Sequence, residues 1–290
     1  MAIYLDTPMW PAHGTLFAHL ISDESIEELH AFAAHCGIRR RAFDEDHYDV
    51  AAHRCAALVA RGARTVDGGK LVRILSASGL RIPARRRNSS LSRPLLKRWN
   101  TYMPSAESLG EELIARWGES HRRYHDRTHL LAVLEALELL VPEPPRAVLL
   151  ATWFHDAVYD GVDGRDEERS ARLAENRLDW AGLNGVEVSE VGRLVRITAH
   201  HNPQPGDTNA ELLCDADLSV LGQDTPAYQR YVDAVREEYA HVPDEQFTAG
   251  RADVVRSLLR LDPIFRIPAA RRLWETAART NLSSELARLG

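Results

Sequence analysis

Of the thirteen histidines in the chain, five fall in three short segments. Tyr124-His125-Asp126-Arg127-Thr128-His129 and Trp153-Phe154-His155-Asp156 also carry carboxylates, and the third segment is the pair His200-His201. Imidazole and carboxylate are metal-ligand types, and the mixture suits Mn²⁺, Fe²⁺, Co²⁺, Ni²⁺ or Zn²⁺, or Mg²⁺ where carboxylate and water dominate. His125 and His129 are four apart, so they share a face of any helix that starts early enough. In a helix starting at Arg127, His129 lies in the first turn and His125 just outside it. Both arrangements let the two rings point into one pocket.

His155-Asp156 lies in an otherwise apolar helical stretch, AVLLATWFHDAVY, where an ionised carboxylate costs several kcal/mol unless it is paired or coordinated. Asp215 and Asp217 in LLCDADLSVLG pose the same problem, and either is a candidate partner. The order is a histidine, then His-Asp 26 positions on, then an aspartate about 60 positions later, each in a predicted helix. Three or four such ligands with an open position make a hydrolase site, because a divalent ion lowers the pKa of water and polarises a phosphoryl oxygen. A carboxylate such as that of Asp156 can bridge two ions.

Three further residues are candidates for a second metal or for phosphate. His200 and His201 end the predicted helix VGRLVRITAHH, and Asp160 falls four residues after Asp156 on the same helical face. Glu167, in DEERSA, is a further candidate that reads equally well as a first-turn acid favoured by the helix dipole. Trp153, Phe154 and Tyr159 read as core, and Tyr228, Tyr231, Val235 and Tyr239 as a packing stripe.

The elements that must position these residues are helical. Candidate helices start at Ser105, Arg127, Pro145, Asp166, Val188, Thr225, Pro243, Pro268 and Ser283, with no strand periodicity between them. Pro145, Pro226, Pro243 and Pro268 stand where a first-turn proline is tolerated, and Ser105 is a cap candidate. Residues 105–290 therefore form an all-α domain. Upstream, AIYLD reads as a strand, Ser25–Cys36 as an amphipathic helix ended by Gly37, Val50–Ala60 as a second helix, and ARTVDGGKLVRIL as a strand followed by a helix. That makes residues 1–84 a small α/β domain. Asp6, His13, His19, His47 and Asp49 supply enough polar groups for a site there, although DHYDV reads first as a turn that caps the helix from Val50.

Residues 85–104 lie in a stretch without acids that runs from Gly68 to Ala106, and they read as a basic interdomain linker. Residues 1–100 hold 15 Lys and Arg against 10 Asp and Glu, while the rest hold 21 against 32. The basic charge gathers at this linker, which gives it a weak nucleic-acid contact as a candidate role. Three cysteines without a CxxC argue against a disulfide framework or a thiolate metal site and fit a reducing cytoplasm. A mean hydropathy of -0.32 and the lack of a long apolar run argue against a membrane span.

At this point residues 105–281 resemble the HD superfamily of metal-dependent phosphohydrolases, whose signature is H…HD…D on a helical bundle. YHxxxH and ADLS are similar to motifs of its cyclic-nucleotide phosphodiesterase branch, and the frame WFHDAVYD…EERSA…DADLSVLG…REEY resembles a bacterial group of HD phosphohydrolases. The resemblance implies a mainly α protein, with an HD-type helical bundle behind a small α/β amino-terminal domain. It maps His129, His155, Asp156 and Asp217 onto metal ligands, choosing Asp217 over Asp215, and His125 onto the group that protonates the leaving oxygen. Asp126 stands where the motif has Asn. Residues 2–82 resemble a small bacterial domain of unknown function, which adds no activity.

The expected protein is a cytoplasmic phosphohydrolase with one or two divalent ions and a small, nucleotide-like phosphorylated substrate. Two other readings share the residues. An HD-fold di-iron oxygenase would use the same ligands with His200 or His201. A non-enzymatic module would bind nucleic acid or a partner and keep the metal as a structural element.

Overall fold

Ala18 and Leu20 alternate with less buried residues along one segment, as Tyr48 and Val50 do along another, and this period of two builds a sheet. The structure, a computed structural model, describes residues 2–12, 14–82, 87–162 and 164–290, and forms two units, residues 1–87 and 88–290. His13 and residues 83–86, of which 85 and 86 belong to the expected linker, lie outside the described residues.

In the first unit the strands are β1 (Ile3–Leu5), β2 (Trp10–Ala12), β3 (Thr15–Ser22), β4 (Phe43–Asp44), β5 (His47–Ala51) and β6 (Arg64–Thr65). Their order is β4-β5-β3-β1-β6, with β2 also paired to β3; β1–β6 is parallel and the other pairings among the described residues are antiparallel. The helices are α1 (Ile26–His35), α2 (Ala52–Ala60) and α3 (Gly68–Ala77). Ser25 starts α1 by accepting a hydrogen bond from the Glu28 N–H at 3.1 Å, and Gly37 follows its end with φ +70. Leu29, Ala33 and Leu58 pack with Ala18, Leu20, Tyr48 and Val50.

Two expectations for this unit need correcting. Val50 and Ala51 belong to a strand, not to the second helix, and of DHYDV only Asp46 lies in a turn. Tyr48 and Val50 find apolar partners across the ladder from β3, and that tertiary pairing outweighs the helical pattern that follows.

The second unit contains α4 (Ser92–Tyr102), α5 (Glu107–Arg116), α6 (Arg127–Leu140), α7 (Arg146–Phe154), α8 (Arg165–Trp180), α9 (Gly185–Ile197) and α10 (Thr208–Asp217). A 3₁₀ turn, Leu218–Gly222, leads on to α11 (Thr225–Glu238), α12 (Asp244–Arg260), α13 (Pro268–Ala270) and α14 (Thr276–Leu289). One continuous apolar core joins them, with Trp99, Trp117, Trp153, Phe154 and Phe265 fully buried. The whole chain is mainly helical, and no helix among the described residues is long and apolar enough to cross a membrane.

Most of the linker expected over 85–104 is helix α4. Leu91, Leu95 and Trp99 recur every four residues, all are buried in the second unit's core, and the arginines lie on the outer face of that stripe. Arg98 pairs with Glu138, and Arg87 with Asp44 and Asp46, so these cations already have partners. Ser283 starts no helix but lies inside α14, and Ser105 caps nothing, since α5 begins after Ala106.

Candidate metal centre

Asp126 starts α6. Its Oδ1 accepts the N–H groups of Thr128 (2.7 Å) and His129 (3.3 Å), while Asn88 Nδ2 donates to its Oδ2 at 2.8 Å. Burial pushes the Asp126 carboxyl up to about 6, against the pull of those donors. The cap fixes His129 in the buried first turn. Helix α7 is apolar on nearly every side and stops at Phe154, so His155 sits just past its last turn. There His155 Nδ1 donates to the Thr152 carbonyl at 2.8 Å, which leaves Nε2 as the ring atom that is free to face the other site residues.

The free atoms converge. His129 Nε2 and His155 Nε2 lie 3.2 Å apart, and Asp217 Oδ1, from the last residue of α10, is 3.0 Å from the first and 3.6 Å from the second. Asp156 Oδ2 lies 3.3 Å from His155 Nε2 and 4.0 Å from His129 Nε2. Ligands at about 2.1 Å from one ion stand roughly 3.0 Å apart when adjacent and 4.2 Å apart when opposite, so the spacings of His129, His155 and Asp217 fit three ligands of a single first-row ion, with Asp156 next to His155. The donor chemistry fits too, with two imidazoles and two carboxylates.

Electrostatics tie the four together. Burial penalises charge on Asp156 and Asp217, yet the His155 ring outweighs it and holds both well below the usual carboxylate range. Burial also opposes charge on His155, but Asp156 and Asp217 push its pKa well up. For His129 burial prevails, and its pKa falls.

His201 joins the cluster and His200 does not. Past the end of α9 the chain turns until His201 adopts φ +46, a left-handed conformation that aims its Nε2 at Asp217 Oδ2, 2.7 Å away. His200 is exposed. Asp160 stands apart: because α7 ends at Phe154, the expected shared helical face does not exist, and the 59% exposed Asp160 side chain pairs with Arg169. Asp215 also faces elsewhere, accepting the N–H groups of Arg266 (2.8 Å) and Ile267 (2.6 Å), and burial pushes its carboxyl up to about 6.

His125 lies beside the cluster, its ring 5.6 Å from that of His129. Its Nδ1 meets Glu238 Oε1 at 2.5 Å, while Glu238 Oε2 accepts the N–H groups of Arg123, Tyr124 and His125 at 2.8–3.1 Å. Burial opposes a charged His125, but Glu238 and Asp156 outweigh it and raise the pKa. Glu238 falls to about 2, because His125 and the backbone donors overcome its own burial. Tyr159 is not core packing, since its ring stacks on His125 at 4.2 Å and 26°. Arg122, wholly buried, donates to the carbonyls of His125 (2.9 Å) and Asp156 (2.7 Å) and so joins the two loops.

Glu238 and Arg122 were not among the expected site residues. Glu238 did leave a signal, since it continues the stripe Tyr228, Tyr231, Val235 at helical spacing. A carboxylate on a buried stripe needs a partner. Arg122 left none, because only the fold encloses it.

Residues 3–78 match a family described as Protein of unknown function (DUF4031). No curated protein and no solved structure matches the chain. The match ends before the helical unit, whose reading therefore rests on its own residues.

Proposed function

We propose that the helical unit is a metal-dependent phosphohydrolase of HD type, acting on a small phosphorylated, nucleotide-like substrate. The observation that carries this reading is the convergence of His129, His155 and Asp217, with Asp156 against His155, beside the His125 imidazole that a buried carboxylate holds. Those four residues would hold a divalent ion, drawn from Mn²⁺, Ni²⁺, Co²⁺, Mg²⁺, Zn²⁺ and Fe²⁺. When bound, the ion supplies an acidified water and withdraws charge from a phosphoryl oxygen.

The remaining work belongs to the chain. His125, its Nδ1 held by Glu238, presents Nε2–H as the proton donor to the departing ester oxygen. Tyr159 limits how far that ring can tilt. His201 turns Asp217 so that Oδ1 faces the two imidazoles. Asp156 and His125 keep 14% and 22% side-chain exposure, so the cluster is open to solvent on their side.

The test is hydrolysis of a panel of phosphomonoesters, phosphodiesters and nucleotides with each metal added, comparing the parent with Asp156→Ala. Metal-dependent turnover lost in the variant supports the hydrolase. Bound iron with oxygen consumption and no ester cleavage supports an oxygenase, which the third imidazole on Asp217 would suit. A metal-free chain that binds nucleic acid in a salt-sensitive way supports a binding module.

A further inference from the structure

The antiparallel register of β3 and β5 places His19 directly opposite Asp49, and His47, two residues earlier on β5, shares that face. Asp6, just past the end of β1, lies on the other side of His19, its N–H donating to the His19 carbonyl at 3.2 Å. Chemistry-bearing side chains from three neighbouring strands thus fall on one face of the sheet, while Ala18, Leu20, Tyr48 and Val50 fill the opposite one.

We propose that the amino-terminal unit holds its own divalent transition-metal ion, ligated by Nε2 of His19, Nε2 of His47 and the Asp49 carboxylate. Both rings are oriented for it. His19 Nδ1 lies 2.9 Å from Asp6 Oδ2, and His47 Nδ1 lies 2.6 Å from Asp46 Oδ1, each of these carboxylates being at least 97% buried. A carboxylate behind each imidazole fixes the tautomer that leaves Nε2 as the ligand atom. Asp46 is itself held by the Ile82 N–H at 2.7 Å and by Arg87 at 3.1 Å.

The ligand atoms lie within 4.8 Å of one another. Asp49 Oδ1 is 3.8 Å from His19 Nε2 and 3.5 Å from His47 Nε2, beyond the usual N–H···O range but within the span of two ligands on one ion. Two imidazoles and one carboxylate suit Zn²⁺, Co²⁺, Ni²⁺ or Fe²⁺ over Mg²⁺ and Ca²⁺. Three protein ligands leave positions for water or a small anion, and Asp49, 47% exposed, puts them toward solvent.

The probe is Co²⁺, read by its visible absorption and by equilibrium dialysis on the full chain, in the parent and in a His155→Ala background that removes a ligand of the helical cluster. The expected result is that Asp49→Asn weakens one Co²⁺ equivalent at least tenfold in both backgrounds. Asp46→Asn, which removes the charge behind His47 Nδ1 but no ligand, weakens the same equivalent about 10–100-fold. Excess Mg²⁺ leaves the spectrum unchanged and Zn²⁺ abolishes it. Circular dichroism confirms that the half-exposed Asp49→Asn retains the fold. Equal Co²⁺ binding with and without Asp49→Asn in both backgrounds, or no bound Co²⁺ in the His155→Ala background, overturns the proposal. Neither result depends on the helical unit's activity.

Discussion

His125 and Glu238, 113 positions apart, meet through Nδ1 and Oε1 at 2.5 Å, and the other oxygen of Glu238 takes three consecutive backbone N–H groups from residues 123–125. One carboxylate therefore both shapes the loop before α6 and raises the pKa of the ring that the loop carries. For a proton donor that link governs the pH range of activity. His125 must stay protonated, so turnover falls as pH rises through its raised pKa. Glu238→Gln removes the charge that raises it, and the basic limb of the kcat/KM profile shifts to lower pH. His125→Ala lowers kcat by about 10²–10⁴-fold. An unmoved basic limb in Glu238→Gln would rule out this role.

The same pair makes stability depend on pH. The Glu238 carboxyl goes from an ordinary value of 4.5 down to about 2 in the fold. A depressed carboxyl stabilises fully above its unfolded value, and the contribution is lost as pH falls from 4.5 through about 2. With a 3% exposed side chain, its size is on the order of 3 kcal/mol. Urea unfolding at a series of pH values should show the parent and Glu238→Gln converging in stability across that interval.

Asp215 and Asp217 should separate cleanly. Asp217→Asn weakens metal binding, while the fold persists. Asp215→Ala leaves two backbone N–H groups at the start of α13 without their acceptor and costs about 1–3 kcal/mol. Metal content and chemical denaturation measured on both variants check the contrast.

His201 supports Asp217 rather than facing the two imidazoles. His201→Ala lowers metal affinity about 10–100-fold with little loss of stability, read by competition with a chelator. His200→Ala, at an exposed position, changes neither.

Gly110 in α5 lies against Trp99. A Cβ there would stand 2.4 Å from Trp99 Cδ1, so Gly110→Ala forces the buried indole to move and costs about 1–3 kcal/mol, visible as a lower thermal midpoint.

Much of the helical half was legible in the sequence, because local signals such as the cap at Asp126 and the prolines near 145, 226, 243 and 268 act within one turn. Helix α4 was not, since its nine-residue apolar stripe is masked by arginines whose partners, such as Glu138, are far along the chain. Strand β3 went unread for a related reason: TLFAHLIS becomes a strand through ladders to β1, β2 and β5, and no short window contains those partners.

By itself the sequence determined which side chains could do chemistry, namely the imidazoles and carboxylates at 125–129, 155–156, 200–201 and 215–217, since residue type and burial cost are local properties. Only the tertiary structure decided among them. Rotation about a helix axis turned Asp217 inward and Asp215 toward residues 266–267. A left-handed residue at 201 selected the second histidine of its pair. The end of α7 removed Asp160. Strand register brought His19, His47 and Asp49 to one face. Each outcome depends on where a helix stops or which strand lies alongside, and long-range packing sets both.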